Sequence, residues 1–203
     1  MKLDIYQLDN IGEYNEEAAG KYVDAVVDGF ESSPEFKELK NMCGWIGQFI
    51  RLGYDYEGVT PSSMTLADLD EIVTNLFPRK VSTDSDGIAG IIPELIAFWH
   101  YLAREFQLPL ADDAIRFLQE IEPQFHDIMT DPSNFGMAKS IVMGGSELGF
   151  DMTTQEGIDQ YMLYHNSRIV AANEPPSFQQ HLKQIKPATS KNKRKRMRKR
   201  RGK

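Results

Sequence analysis

The sequence predicts an all-α fold: one compact, bundle-like domain of six or seven helices, without a sheet. Apolar residues recur at steps of three and four along most of the first 170 residues, which is the period of an amphipathic helix. Capping residues stand before these apolar stretches, and proline or glycine stands after them. Residues 191–203 are too densely charged to bury a core, so they predict a disordered basic tail.

The longest apolar pattern lies within residues 84–106 and predicts a central helix over about residues 92–107. Its apolar side chains cover most sides of a helix, so we expect other helices to surround it. These side chains belong to Ile88, Ile91, Ile92, Leu95, Ile96, Phe98, Trp99, Leu102 and Phe106. Pro93 fits the first turn of this helix, which leaves residues 88–92 as a separate turn or a kinked lead-in. Glu94 is a polar residue within this stretch, and it requires water or a partner.

Two helices are predicted ahead of the central one, before Gly53. The first covers residues 15–30 and has Asn15 as its N-cap. The second follows the cap Ser33, has Pro34 in its first helical position, and ends at Gly53.

A third helix is predicted after residues 54–63, which form a loop rich in Gly, Pro and Ser. Thr65 and Asp68 make a start that resembles a capping box, with Asp in place of the usual Glu or Gln. Apolar residues continue at helical spacing to Phe77, and Pro78 is the expected stop.

Three more helices are predicted after the central one, over residues 110–129, 135–143 and about 155–169. Pro123 lies inside the first of them and is expected to kink it. Gly144 and Gly145 are expected to close the second, and Thr153 or Thr154 to cap the third.

The ends of the chain differ from this helical part. Residues 1–13 hold one short candidate strand, residues 2–8, which has no visible partner strand, so they are interpreted as a weakly ordered arm. The helical domain is predicted to cover residues 14–172. A linker over residues 173–190 then joins it to the tail, residues 191–203.

Charge is divided unevenly along the chain. The formal net charge is −7, yet residues 183–203 hold twelve of the 23 Lys and Arg and none of the 30 Asp and Glu. Residues 1–182 therefore hold eleven cations and all thirty acids, which is a net charge of −19. An acidic body joined to a basic tail indicates a polyanion-binding arm.

The tail itself predicts contacts with nucleic-acid phosphates, and RNA is the favoured partner. Its ten cations are Lys191, Lys193, Arg194, Lys195, Arg196, Arg198, Lys199, Arg200, Arg201 and Lys203. Dense Lys and Arg bind a phosphate backbone by releasing counterions, without recognising a base sequence. Three alternatives stay open: that the tail folds back on the acidic body, that it only aids solubility, or that it is a nuclear import signal.

Composition excludes several classes of protein. Cys43 is the single cysteine, so no internal disulfide is possible. The N-terminal residues lack a basic start followed by an apolar run, and no apolar run is long enough to cross a bilayer, so neither a signal peptide nor a membrane span is predicted. We expect a cytoplasmic protein that does not bind membranes.

No catalytic residue, metal or cofactor is predicted, because the motifs that would carry them are incomplete. None of the four histidines has the Glu-x-x-His spacing of a di-metal bundle, and Glu122 with His126 is interpreted as a surface or helix-end pair. Residues 144–149 come within one residue of a GxSxG nucleophile turn but lack its spacing and its preceding strand. There is no P-loop and no GxGxxG.

Residues 131–150 form the most suggestive segment of the acidic body. A helix opening at Ser133 and Asn134 would present free backbone amides, which can hold an anion. The hypothesis is a ligand or partner groove bordered by Asn134, Lys139 and Ser140. The competing interpretation is that the small residues here let this helix cross the central helix closely.

These observations favour a non-enzymatic cytoplasmic adaptor, in which the tail contacts RNA or DNA and the acidic body binds a protein partner. The alternative is an enzyme or small-ligand-binding protein whose site lies near residues 131–150. A third class is a structural subunit whose partner covers exposed apolar surface.

Overall fold

The computed structural model describes residues 3–9, 15–39 and 44–173, and most of these residues are helical. The described part of the chain contains no strand, so the all-α class is confirmed. The α-helices are α1 Glu16–Glu31, α2 Pro34–Lys37, α3 Trp45–Leu52, α4 Leu66–Asp70, α5 Phe77–Lys80, α6 Ser85–Phe106, α7 Ala111–Thr130, α8 Met137–Glu147 and α9 Gln155–Asn173. Cys43, His181 and the predicted linker and tail beyond residue 173 lie outside the described residues.

The chain divides into two compact units, Met1–Gly136 and Met137–Lys203. The first unit contains α1 to α7 and an apolar core with aromatic residues at its centre. There the ring of Phe98 lies 5.4 Å from that of Phe30 and 6.3 Å from that of Phe49, both in edge-to-face geometry. Trp99 is fully buried beside them.

The predicted caps of α1, α2 and α4 are confirmed. The Asn15 side chain accepts a hydrogen bond from the Ala18 backbone N–H, and the Ser33 hydroxyl accepts one from the Phe36 N–H. At α4 the Thr65 side chain and the Asp68 carboxylate form a complete capping box. Each cap satisfies an amide that has no partner within its own helix, which explains why local sequence located these three helix starts correctly.

Helix α6 is continuous from Ser85 to Phe106, so the predicted separate lead-in over residues 88–92 is wrong. Pro93 removes the helical hydrogen bond to the carbonyl of Ala89, but Ala89 is exposed and water can replace that bond. In α7, Pro123 likewise frees the carbonyl of Gln119, which is also exposed, and the helix continues. A proline whose freed carbonyl faces solvent interrupts a helix less than the sequence pattern implies.

The single helix predicted from Pro34 to Gly53 is wrong, because it is split. Helix α2 ends after one turn, and α3 begins only at Trp45, after Gly44 adopts a left-handed backbone with φ of 73°. Helix α3 ends at Leu52, as Gly53 predicted, but a π-helical turn over Gly53–Glu57 extends the helical backbone into the predicted loop.

Pro78 does not stop the third predicted helix. The backbone changes to π-helical geometry over Glu71–Leu76 and then continues as α5 to Lys80. The Phe77 N–H bonds the Ile72 carbonyl, one residue farther back than in an α-helix. The wider turn lies directly before the proline, where the regular hydrogen-bond ladder could not continue.

Residues 5–9 form turns, and the described part of the candidate strand over residues 2–8 is not a strand. Ile5 and Leu8 are buried in the core of the first unit. The Tyr22 hydroxyl donates to the Ile5 carbonyl at 3.0 Å, and the Thr60 hydroxyl donates to the Asp9 carboxylate at 2.5 Å. These bonds and buried side chains hold the segment against α1 and the loop before α4.

The second unit pairs α8 with α9. Helix α8 runs through Gly144 and Gly145 to Glu147, so the prediction that these glycines end it is wrong. A Cβ atom on Gly145 would overlap the Met152 side chain, and one on Gly144 would lie 2.8 Å from the Tyr161 hydroxyl. Because these two glycines lack side chains, Met152 and Tyr161 can approach the backbone of α8 closely. Thr154 is the cap of α9, since its hydroxyl accepts from the Gly157 N–H at 3.1 Å.

Candidate functional site

The candidate site lies around Glu94, a buried carboxylate. Its side chain is 1% exposed, on α6, and its carboxylate accepts hydrogen bonds from the start of α3. Oε2 accepts from the Gly44 N–H at 3.1 Å, and Oε1 accepts from the N–H groups of Trp45 at 2.6 Å and Ile46 at 3.2 Å. The first turn of a helix carries unsatisfied amides and a partial positive charge. The Glu94 carboxylate accepts hydrogen bonds from these amides and balances the partial positive charge, so it fixes α3 against α6.

Beside this contact, α1, α2 and α3 enclose a cleft of about 540 Å³. Phe30, on α1, and Ile46, on α3, are buried at its base, while Val23, Val27 and Phe36 are half-buried on its walls. The rest of its lining consists of Asp24, Asp28, Glu31, Gly44, Gly47 and Glu94. A volume of this size is within the range of pockets that hold a small ligand or a few side chains of a peptide.

One wall of the cleft is acidic. Asp24, Asp28 and Glu31 lie four and three residues apart on α1, so they share a face of that helix, and all three are exposed. Within the described residues none of the three takes part in an ion pair. The cleft therefore combines an apolar base with carboxylates that form no ion pair with any residue the structure describes.

An ion pair between Glu35 and Arg104 holds the α2 wall in place. Arg104 donates to both carboxylate oxygens of Glu35, from Nε at 2.6 Å and from a terminal nitrogen at 3.1 Å. The hydrogen bonds from Arg104 lower the pKa of Glu35 to about 2. This pair joins α2 to α6, next to Phe36, which lines the cleft.

In the segment 131–150, the structure does not place Asn134 at the start of a helix. Residues Pro132–Asn134 form a 3-10 turn, and α8 begins at Met137, so the predicted opening at Ser133 and Asn134 is wrong. The Asn134 amide donates to the Ile128 carbonyl at 3.0 Å, near the end of α7. The Gly136 N–H bonds the Arg79 carbonyl at 3.2 Å, which joins the last residue of the first unit to α5.

Lys139 and Ser140 lie on α8, in the second unit, whereas Asn134 lies in the first. Lys139 is 5% exposed, and its burial lowers the pKa of its ammonium group. Ser140 is exposed. The role of these three residues in ligand binding stays a prediction.

Residues 3–9, 15–39 and 44–173 were also searched for a metal site, a nucleophile turn and a membrane-spanning helix. No three His, Cys, Asp or Glu side chains converge there as a metal site would require. His126 lies 3.8 Å from the Asp127 carboxylate on the exposed side of α7. Residues 144–147, from the near match to a nucleophile turn, are helical. No helix in the described part has both the length and the hydrophobicity to cross a bilayer.

The ten tail cations, residues 191–203, lie outside the described residues, so their contacts stay a prediction. The cleft, in contrast, is a feature that sequence reasoning missed. Its signal was present in α1, where three acids at positions 24, 28 and 31 follow the apolar positions 23, 27 and 30 by one residue. By itself this pattern predicts no cleft, because the facing residues of α2, α3 and α6 are distant in sequence.

Comparison with family models, curated proteins and solved structures finds no match to this chain.

Proposed function

We propose that this chain is a non-enzymatic cytoplasmic adaptor. Its basic tail contacts RNA or DNA phosphates, with RNA favoured, and its acidic helical body binds a protein partner. The observation that carries the proposal is the division of charge, −19 in residues 1–182 against twelve cations and no acid in residues 183–203. Two oppositely charged parts of one chain are suited to two different partners, because each repels the partner of the other.

The helical body in this proposal is organised by α6. Eleven residues of this helix are buried, against seven in α7, the other long helix of the first unit. Such a body supplies a rigid surface, because α2, α3 and α7 all pack on one buried element.

Phosphate binding by the tail is tested by electrophoretic binding of full-length protein and residues 1–182 to single-stranded RNA at two salt concentrations. If all ten cations engage, the slope of log affinity against log salt is about −7 for the full chain. A full-length variant with the residues of the tail in shuffled order is the matched control. It should bind RNA as tightly as the wild type, because the affinity depends on the number of cations and not on their order. Equal binding by the full chain and by residues 1–182 would end the proposal.

A second candidate, an enzyme or small-ligand protein with a site near residues 131–150, is favoured by one observation. Lys139 is a buried lysine with a lowered pKa, and such residues occur at functional sites as well as in structural networks. A thermal-shift screen of small anions and metabolites would test it, with Lys139→Ala and Asn134→Ala compared with the wild type. Equal stabilisation of all three proteins, or no stabilising compound, would argue against this candidate.

A further inference from the structure

We propose that the cleft between α1, α2 and α3 is the protein-binding site of the acidic body. Its occupant is a cationic amphipathic segment of a partner protein, with Lys or Arg next to an apolar residue. This inference rests on the protein-partner half of the proposed function and is independent of RNA binding by the tail.

The apolar part of the cleft calls for an apolar side chain. Val23, Val27 and Phe36 are only half-buried there, although each packs on the core of the first unit. Gly47 lies among them without a side chain, and a Cβ atom at this position would be 3.6 Å from Val23 and 3.8 Å from Val27. Space at Gly47 therefore lets a ligand reach the apolar surface that α1 and α3 share.

The charge of the cleft determines whether a positively or a negatively charged ligand can bind. Asp24, Asp28 and Glu31 form a row of carboxylates along its α1 wall, and no ion pair to any of them exists in the described residues. A helix start often binds an anion, but the amides of Gly44, Trp45 and Ile46 already bond the Glu94 carboxylate. The site therefore attracts cations and repels anions.

The same charge argues for a partner protein rather than a second copy of this body. A second body would bring its own net charge of −19 to an acidic cleft, which like-charge repulsion opposes. The walls are also held in place before binding, because Glu94 of α6 bonds the start of α3 and Arg104 of α6 pairs with Glu35 of α2. A preformed cleft loses little conformational entropy when a short peptide binds.

The test is isothermal titration of the full-length protein with three capped octapeptides, in which Leu alternates with Arg, Ser alternates with Arg, or Leu alternates with Glu. The Leu/Arg peptide should bind most tightly, and the Leu/Glu peptide should not bind. The triple variant Asp24→Asn, Asp28→Asn, Glu31→Gln should weaken Leu/Arg binding roughly tenfold, from the summed loss of three exposed ion pairs.

Two further variants separate this site from general attraction to an acidic protein. Glu120→Gln, Glu122→Gln, Asp127→Asn removes the same charge from exposed positions on α7 and should leave Leu/Arg binding unchanged. Gly47→Leu keeps every charge but fills the cleft, so it should reduce binding, with helical content by circular dichroism showing that the protein is folded.

The following results would overturn the inference. Equal loss of affinity in the α1 and α7 triple variants, or equal affinity for the Ser/Arg and Leu/Arg peptides, would show nonspecific charge attraction. Binding of the Leu/Arg peptide by residues 1–182 but not by the full chain would make the basic tail, rather than a partner, the occupant. RNA binding is measured separately, so its failure alone would leave the cleft assignment intact.

Discussion

At the scale of single residues, Glu94 shows how a charge is used inside an apolar helix. It is surrounded by buried neighbours on α6, yet each carboxylate oxygen accepts at least one backbone hydrogen bond from the start of α3. Charge-assisted bonds of this kind are about twice as strong as neutral ones. A buried carboxylate that binds several amides therefore stabilises the junction of two helices.

Replacing Glu94 by Gln tests this role. Glutamine keeps the size of the side chain, but its amide group cannot accept, so at least one of the amides of residues 44–46 is left without a partner. We expect the free energy of unfolding, measured by urea denaturation, to fall by about 2 kcal/mol. Glu120→Gln, the same change at an exposed position, should alter it by less than about 0.5 kcal/mol. A similar small effect at position 94 would contradict the capping role.

The Glu35–Arg104 pair predicts a specific dependence on pH. The pKa of Glu35 is lowered to about 2 from its ordinary value of 4.5, so the pair stabilises the fold above pH 4.5 and loses that effect as the pH falls towards 2. Because Arg104 is 47% exposed, solvent screening keeps the contribution of this pair to stability small. Wild type and Glu35→Gln should thus differ in urea denaturation at pH 7 and converge near pH 2. A difference that is constant with pH would exclude the pair as its cause.

At the scale of elements, backbone geometry absorbs features that the sequence pattern treats as helix breaks. Pro93 and Pro123 lie inside continuous helices, and Pro78 follows a π-helical stretch that lets the backbone continue to Lys80. Burial of the flanking apolar residues stabilises each helix by more than the loss of one hydrogen bond destabilises it. Helix continuity here is a property of packing rather than of local propensity.

Two glycines of the first unit, Gly136 between α7 and α8 and Gly20 within α1, should differ in how replacement by alanine changes stability. A Cβ atom on Gly136 would lie 2.7 Å from the Arg79 carbonyl oxygen, whereas one on Gly20, within α1, would have no neighbour within 4 Å. Gly136→Ala should therefore destabilise the protein by about 1–3 kcal/mol through steric overlap. Gly20→Ala should stabilise it by about 0.5–1 kcal/mol, because alanine favours the helix. Thermal unfolding midpoints that shift in the same direction would refute the contrast.

At the scale of the whole molecule, charge is the property that separates the parts of the chain. The acidic body carries the cleft, while the cations concentrate in residues 191–203. Because counterion release depends on the number of cations that engage, RNA affinity should respond to charge in graded steps.

A graded series of tail variants tests that expectation. Replacing five of the ten tail cations by Gln should halve the salt dependence of single-stranded RNA binding, to a slope of about −3.5. Replacing Lys21 and Lys37, two exposed cations of the body, should leave the slope unchanged, which provides the control. A slope that depends on the body lysines, or does not change with tail charge, would contradict phosphate binding by the tail.

By itself, the sequence determined the properties that depend on neighbouring residues. The helical class follows from apolar spacing, the starts of α1, α2 and α4 follow from Asn15, Ser33 and Thr65, and the charge division follows from composition. The helical class and the helix starts have causes within about four residues, such as a cap that bonds an amide three positions ahead, and the charge division is counted directly from the sequence. Reasoning from sequence can therefore reach them without knowledge of the fold.

Only the tertiary structure decided what depends on residues far apart along the chain. Glu94 bonds the start of α3 some fifty residues away, which splits a predicted helix and forms one side of the cleft. Ile5 is buried, its carbonyl accepts hydrogen bonds from the Tyr22 and Ser62 hydroxyls, and no local pattern encodes those contacts. Burial free energy and hydrogen bonds across the core outweigh local propensities at these positions, so packing rather than sequence spacing fixed the candidate site.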